Sequence, residues 1–347
     1  MAYTTIDNPE LYFQCKKWAG NNSGSGISIT LDGDENMQPD LVWVKSTDNT
    51  HSHVIYDSVR TSPAKYFLKS DDSIAERTAA IGSFDSDGVT FSDNDGFYNG
   101  SDNYVGWFWK AGTTSGLSGG TITPTSYSIN TTSGFGIYSY NGNATSGATI
   151  AHGLSSVPKM IIIKRRNGTN AWHIFHTVLG NTKWIEFSNQ TPQTGTSRWN
   201  DTSPTSSLIT LGNDNDVNSN TNPFIAYLWT EKQGFSKFGS YTGNGNADGT
   251  FVYLGFRPAY VMVKRTSSTA HWQIQDNKRQ GFNPENERIY ANDNSSEQTI
   301  NFIDLLSNGF KCITTDAGAN GSGDTYIYMA FAEAPFVNSN GVPNNAR

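Results

Sequence analysis

Histidines are the first side chains of this sequence whose type could support catalysis or metal binding. The six histidines are scattered along 347 residues, and the chain lacks the motifs of serine hydrolases, zinc proteases and Walker-type nucleotide sites. His173 and His176 fall on one predicted strand, where residues three positions apart point to opposite faces. They therefore cannot hold one metal ion together. We expect structural histidines, and the sequence predicts no enzyme, no catalytic residue, no metal site and no cofactor.

Two acidic turns, residues 32–36 and 213–216, offer carboxylate and amide oxygens of the kind that calcium prefers. Neither turn has the ligand spacing of an EF-hand. Asp and Asn are also common in turns because their side chains bond to the local backbone. We favour the turn interpretation, and calcium binding stays open as the alternative.

Tryptophan suits carbohydrate binding because its flat face can stack on the C–H face of a sugar ring. Trp107, Trp109 and Trp229 lie in apolar segments, so we expect them in the core. Trp199 lies in a polar segment and is the candidate surface-glycan contact. Packing beneath a loop is the alternative for Trp199, and it is the one we favour.

These side chains are positioned by an internal repeat. Each of three segments begins with proline, continues as an apolar strand and reaches a lysine six residues later. Each repeat then continues with a second, a third and a closing aromatic strand at matching distances, and each is preceded by a Gly-Asn turn. The pairs are Pro39 and Lys45, Pro158 and Lys164, and Pro258 and Lys264, and the turns end at Asn21, Asn143 and Asn244. We predict that the three lysines occupy equivalent strand ends.

Composition favours strands over helices. The chain has 34 Gly, 13% aromatic residues and only 16% charged residues. Aromatic runs between clusters of Gly, Asn, Asp and Ser are typical of short strands joined by turns. Each repeat has room for about six or seven strands, the size of an antiparallel sandwich or jelly roll. The sequence therefore predicts an all-β fold of three tandem antiparallel β-sandwich, jelly-roll-like repeats.

The repeats divide the chain into five parts. We assign residues 1–112 to an N-terminal arm and β-repeat 1, 113–131 to a Gly/Ser/Thr linker, 132–235 to β-repeat 2, 236–335 to β-repeat 3 and 336–347 to a polar C-terminal tail. The linker is flexible by composition. We therefore expect repeats 2 and 3 to pack as a rigid pair, with repeat 1 placed independently.

Charge and apolar patterning exclude several kinds of partner. The formal net charge is −7 and no long basic run is present, so we expect no nucleic-acid partner. The apolar stretches are far shorter than a membrane span, so we expect no membrane insertion. The N-terminus has no signal-peptide pattern, and Cys15 and Cys312 are far apart in sequence. Both features favour folding in a reducing cytoplasm.

Long stretches of the chain resemble a family of repeat-containing tail-fibre and virion structural proteins of marine and cyanobacterial phages. These stretches are residues 1–9, 38–45, 104–112, 199–208, 238–246 and 326–337. The resemblance covers essentially the whole chain. It implies a virion component without fixing its position in the particle, and it supplies no catalytic residues. Our own expectation is a protein that is made in the host cytoplasm and located in the tail of the virion.

On this basis we expect a non-catalytic tail fibre or receptor-contacting appendage that touches a host surface glycan or protein. A capsid decoration or another shell-bound particle protein is the alternative. A polysaccharide depolymerase is a third class, for which the sequence offers no paired-carboxylate pattern. Because phage fibres are usually trimers, we expect a homotrimer. The segment from Met1 to Phe13 is expected to be loose by itself and to dock on other phage structural proteins.

Overall fold

The predicted all-β fold is confirmed by the computed structural model, which describes residues 2–61, 65–78 and 81–345. All strand ladders within these residues are antiparallel. Helical structure in the described part is limited to α1 (Asn215–Asn218) and two 3-10 turns, Pro9–Leu11 and Ser58–Arg60.

The first large sheet and a small sheet form a sandwich. This part of the chain contains β1 (Phe13–Ala19), β2 (Ile27–Thr30), β3 (Leu41–Ser46), β4 (Val54–Asp57), β5 (Tyr66–Leu68), β6 (Arg77–Thr78), β7 (Ile81–Asp85), β8 (Gly88–Phe91) and β9 (Asn103–Trp109). The large sheet has the order β1-β9-β3-β4-β5-β6, and the small sheet has the order β2-β8-β7. Ile29 and Val89 of the small sheet share one core with Val42 of the large sheet.

The second large sheet is built in the same way. Its strands and those of its small partner sheet are β10 (Ser126–Asn130), β11 (Phe135–Asn141), β12 (Ala148–Ala151), β13 (Pro158–Arg165), β14 (His173–His176), β15 (Lys183–Glu186), β16 (Gln193–Thr194), β17 (Leu208–Leu211) and β18 (Pro223–Thr230). The large sheet has the order β10-β11-β18-β13-β14-β15-β16, and β12 pairs with β17. Ile150 and Ile209 of this small sheet share a core with Ile161 of the large one.

The third sheet is continuous and closes over itself. Its strands are β19 (Ser236–Thr242), β20 (Phe251–Tyr253), β21 (Phe256–Arg265), β22 (Trp272–Asp276), β23 (Glu285–Tyr290), β24 (Gln298–Leu306), β25 (Gly309–Cys312) and β26 (Thr325–Pro335). They follow the order β19-β26-β21-β22-β23-β24-β25-β20. Both β24 and β25 also contact β21 across the core, so this sheet forms both layers of its own sandwich.

The three large sheets place their closing strands between the opening strand and the proline strand. These triplets are β1-β9-β3, β11-β18-β13 and β19-β26-β21. Lys45, Lys164 and Lys264 end the proline strands in the same register, so the prediction of equivalent strand ends is confirmed. Each lysine is fully buried, and its ammonium donates to backbone carbonyls at the end of the strand or in the loop that follows it.

The closing strands β9 and β18 are buried on both faces because each lies between two cores. In β9, Trp107 and Trp109 face a core that all three large sheets share, whereas Tyr104 and Phe108 face the sandwich core. β18 alternates in the same way between the shared core and its own sandwich core. The double burial accounts for the nearly continuous apolar pattern of these strands.

The shared core joins the three large sheets. The ring centre of Trp109 lies 6.2 Å from that of Trp229 in the second sheet. It also lies 5.9 Å from Tyr260 and 5.6 Å from Phe331 in the third sheet. Aromatic pairs at such distances add to the free energy gained from burial. The expected independent placement of repeat 1 is therefore wrong, because the first sheet packs into the same core as the second and third sheets.

A closed ring of hydrogen bonds at equivalent positions also links the sheets. His53, Trp172 and Trp272 stand at the start of β4, β14 and β22, and each contacts a backbone carbonyl of a neighbouring sheet. Nε2 of His53 lies 2.8 Å from the Tyr290 carbonyl, the Trp172 indole donates to the Lys69 carbonyl at 2.7 Å, and the Trp272 indole donates to the Glu186 carbonyl at 2.7 Å. The first sheet contacts the third, the third contacts the second and the second contacts the first.

The segment 113–131, predicted as a flexible linker, is instead held against the second sandwich. Thr113 forms a bridge with Ile129, and Ile122 is buried and bridges to Ile150. The segment also contains β10. Composition was misleading here because Gly, Ser and Thr can occupy short paired segments as well as loops.

The N-terminal arm, residues 2–12, is fixed on the chain itself. Ile6 is buried in the shared core together with Phe13 at the start of β1. The Thr4 hydroxyl donates to the Gln233 carbonyl at 2.8 Å. The expectation of a loose segment is therefore wrong, because apolar side chains of the arm find a place between the sheets.

Candidate functional site

Trp199, the candidate surface-glycan contact, is buried. Its side chain is 2% exposed, and its indole N–H donates to the Lys183 carbonyl at 3.0 Å. Its ring packs edge-on against Phe175. A glycan contact at Trp199 is therefore contradicted, because the ring has no open face. The alternative of packing beneath a loop accounts for this residue.

His173 and His176 point to opposite sides of β14, as predicted. Nε2 of His176 lies 3.1 Å from the Tyr328 carbonyl of the third sheet, whereas Nε2 of His173 lies 3.1 Å from the Asp216 carboxylate. Burial lowers the pKa of His176 to about 4. At neutral pH His176 is therefore a neutral imidazole in a structural role.

Both acidic turns contain carboxylates that are paired with cations of the chain, namely Asp32 in the first turn and Asp214 and Asp216 in the second. Asp32 lies 3.1 Å from both Lys16 and Lys278. Asp216 lies 3.0 Å from Arg198, and the Asp214 side chain caps α1 by accepting from the Asp216 backbone N–H. Turn and ion-pair chemistry accounts for both segments. Across residues 2–61, 65–78 and 81–345, no three His, Cys, Asp or Glu side chains are grouped so that they could hold a metal ion.

The described part of the chain contains no helix of the length and apolarity that crossing a membrane requires.

An open cleft of about 270 Å³ lies where the N-terminal arm meets the turn between the second and third sheets. The arm contributes Tyr3, β20 contributes Tyr253, and residues 231–237 form a polar rim. The Tyr3 hydroxyl lies 3.3 Å from the Tyr253 hydroxyl and donates to the Gly255 carbonyl at 2.8 Å. These bonds hold the aromatic wall of the cleft in place.

Strand alternation and one glycine turn produce this cleft. Phe251 and Tyr253 of β20 are 45% and 47% exposed, while Val252 between them points into the sandwich core. In the turn, Gly234 has a φ of +75°, and a Cβ there would lie 2.9 Å from the Thr4 side chain. Only glycine therefore combines this backbone conformation with the close approach of the arm.

Two lysines give the cleft a positive side in an otherwise acidic protein. The Lys237 ammonium lies 5.1 Å from the centre of the Tyr253 ring and donates to the Tyr253 carbonyl at 2.9 Å. Lys232 is half-buried, and this burial lowers the pKa of its ammonium. On the rim, the Glu231 carboxylate accepts from the Phe238 backbone N–H at 3.3 Å. The cleft can thus bind a polar ligand by stacking, hydrogen bonding and charge.

Sequence reasoning missed this cleft because its two aromatic residues, Tyr3 and Tyr253, are 250 positions apart. The available signal was the pattern Phe251-Val252-Tyr253, in which two large aromatic residues share one face of a short strand. That pattern shows that the two rings lie on the same face of the strand. It does not show whether another segment of the chain covers that face.

A protein-family model, described as a domain of unknown function (DUF7483), matches residues 8–335. No curated protein matches the chain. The family match spans most of the sequence, including all three large sheets.

Proposed function

The chain belongs to the DUF7483 family, and we propose that it is a non-catalytic structural protein of a bacteriophage particle, acting as a tail fibre or receptor-contacting appendage. The resemblance of long stretches of the chain to phage virion proteins supports a place in the particle. The open cleft beside Tyr253 is the observation that carries the contact role, because it presents an aromatic ring and polar groups to an external molecule.

The rigid architecture fits this role. Three large sheets share one core and are tied by the ring of hydrogen bonds through His53, Trp172 and Trp272. A rigid scaffold holds surface loops and clefts in fixed positions, which lowers the entropy lost on binding. The role requires no catalytic step.

Localising the protein in purified phage particles tests this proposal. Labelling with a specific antibody, followed by electron microscopy, should place it on the tail. Labelling spread over the icosahedral shell would support a capsid decoration instead of a tail fibre. Absence of the protein from the particle would contradict both assignments. In a second assay, the purified protein added to host cells should reduce phage adsorption.

The non-catalytic part of the proposal has its own test. Incubation with polysaccharide from the host surface should release no reducing ends. A steady release that increases with protein concentration would identify a depolymerase instead.

We also propose that the chain forms a homotrimer and attaches to other phage structural proteins. The shared core buries one face of each large sheet within the chain. The trimer contacts must therefore use surfaces and loops outside that core. The N-terminal arm can still offer its outer side to a partner, since Ala2 and Thr5 are exposed. Analytical ultracentrifugation measures the oligomer, and a monomer over a wide concentration range would contradict the trimer.

A further inference from the structure

The cleft beside Tyr253 combines two features that together select one class of ligand. An aromatic ring lies on its wall, and two lysine side chains lie along it. We propose that this cleft binds a carbohydrate that carries a carboxylate group, with the sugar ring on Tyr253 and the carboxylate between Lys232 and Lys237. This inference rests on the proposed contact function and names its ligand.

The aromatic wall is ready for a sugar ring. Tyr253 as a residue remains 47% exposed although the Lys237 ammonium lies over its ring. Its hydroxyl is within hydrogen-bond distance of the Tyr3 hydroxyl, so the ring is held in position before a ligand arrives. A tyrosine offers an apolar face and a polar edge, which suits the C–H face and the hydroxyl groups of a pyranose.

The lysines favour a negatively charged group on that sugar. Neither Lys232 nor Lys237 forms a salt bridge with a carboxylate of the described residues. Lys232 is half-buried, so its ammonium has lost part of its hydration without gaining a counter-charge. A ligand carboxylate would supply that charge and accept charge-assisted hydrogen bonds, which are stronger than neutral ones.

Size and rim chemistry agree with a small saccharide. The cleft volume of about 270 Å³ is near the lower limit of small-molecule sites, which is about 300 Å³, so one sugar residue is a suitable occupant. The exposed side chain of Gln233 stands on the rim and can bond to a sugar hydroxyl. Glu231 lies at the same rim, and its carboxylate would repel a ligand carboxylate placed next to it. This repulsion would orient the ligand carboxylate toward the lysines.

Titration of the whole protein with methyl glucuronide and methyl glucoside tests the inference. Saturation-transfer NMR and calorimetry should detect the glucuronide at millimolar concentrations, with an affinity about tenfold above that of the glucoside because of the charge-assisted bonds. This preference should decrease as salt is added. Absence of binding by both sugars, or equal binding of both, would overturn the inference.

Matched variants locate the binding. Tyr253→Ala should reduce glucuronide affinity at least tenfold. Phe251→Ala, which removes an equally exposed ring of the same strand outside the cleft, should leave it unchanged. Lys232→Met should abolish the preference for the acid, whereas Lys183→Met, at an exposed position that does not line the cleft, should preserve it. Equal effects of the two aromatic variants, or of the two lysine variants, would refute the assignment.

The same variants separate this inference from the proposed function. If Tyr253→Ala protein inhibits phage adsorption as well as the wild-type protein, the cleft is not the contact site, although the receptor-contacting role stands. If the glucuronide binds as expected but the protein is absent from particles, the phage role fails and the sugar site stands.

Discussion

Replacing Arg60 by leucine should destabilise the protein strongly, because it breaks a buried ion pair. The side chains of Arg60 and Asp57 are both 0% exposed, and their charged groups lie 2.7 Å apart. The guanidinium also donates to the Ile55 carbonyl at 3.0 Å, and the Tyr227 hydroxyl of the second sheet donates to the Asp57 carboxylate at 2.7 Å. The pair therefore sits where the first and second sheets meet.

The expected loss follows from what the substitution leaves behind. In Arg60→Leu the Asp57 carboxylate keeps its hydrogen bonds from Tyr227 and from backbone N–H groups but loses its counter-charge. Removing one partner of a buried pair costs about 3–5 kcal/mol, whereas replacing the whole pair can be nearly neutral. We expect a fall of that size in the free energy of unfolding.

The second sheet supplies a natural comparison for this variant. It carries His176 and Leu179 at the positions that Asp57 and Arg60 occupy in the first sheet. The double variant Asp57→His with Arg60→Leu copies that solution, so it should be at least about 1.5 kcal/mol more stable than Arg60→Leu alone.

Urea unfolding followed by tryptophan fluorescence measures these differences, with the slope of the transition as a check on two-state behaviour. Lys311→Met, which breaks a surface pair with the exposed Asp248, is the control and should cost less than about 1 kcal/mol. The reasoning fails if Arg60→Leu costs no more than this control. It also fails if the double variant is no more stable than the single one.

Three further predictions concern pH and the N-terminal arm. Burial, with Arg265 nearby, lowers the pKa of Lys264 from 10.5 to about 7. Between pH 7 and 10.5 the unfolded chain therefore binds more protons than the folded chain, so the free energy of unfolding rises with pH in this range. In urea titrations Lys264→Met should reduce the rise between pH 7 and 9 by about 2 kcal/mol, and an unchanged slope would contradict this. Burial lowers the pKa of His176 from 6.5 to about 4, so stability should fall as the pH drops through that window, by about 3 kcal/mol in total. His176→Gln should flatten this acid slope in the same assay, and an identical slope would rule out His176 as its source. Deleting residues 1–8 removes Ile6 from the shared core and should cost about 2–3 kcal/mol in thermal or urea unfolding, whereas Thr5→Ala, at an exposed position, should cost almost nothing. Equal stability of the deletion and the wild type would show that the arm is not part of the core.

Local features of the fold were predictable from the sequence by itself. The proline-to-lysine spacing placed Lys45, Lys164 and Lys264 at equivalent strand ends, and the structure confirms those positions. The apolar segments around Trp107, Trp109 and Trp229 predicted core positions, and all three side chains are buried on β9 and β18. These features depend on the alternation of side chains along a strand and on their burial. Both produce a pattern among residues that are close together in the sequence.

The packing of the three large sheets was decided only by the tertiary structure. Trp109 contacts rings of both other sheets, and these partners are distant in the chain. The alternation of side chains along a strand does not indicate which distant segment packs against either face. The sequence therefore suggested separate units, whereas the structure has one shared core. The same limit hid the contacts of residues 113–131 and of the N-terminal arm.

The candidate binding residues show most directly the difference between what the local sequence pattern indicates and what tertiary packing decides. Trp199 is flanked by polar residues and is nevertheless buried, because Phe175 and the Lys183 carbonyl cover it. Tyr253 belongs to an ordinary short strand and is half exposed beside an open cleft. Residue type and spacing determined which side chains could stack on a sugar. Which of them faces solvent depends on segments up to 250 positions away, and only the folded chain brings those together.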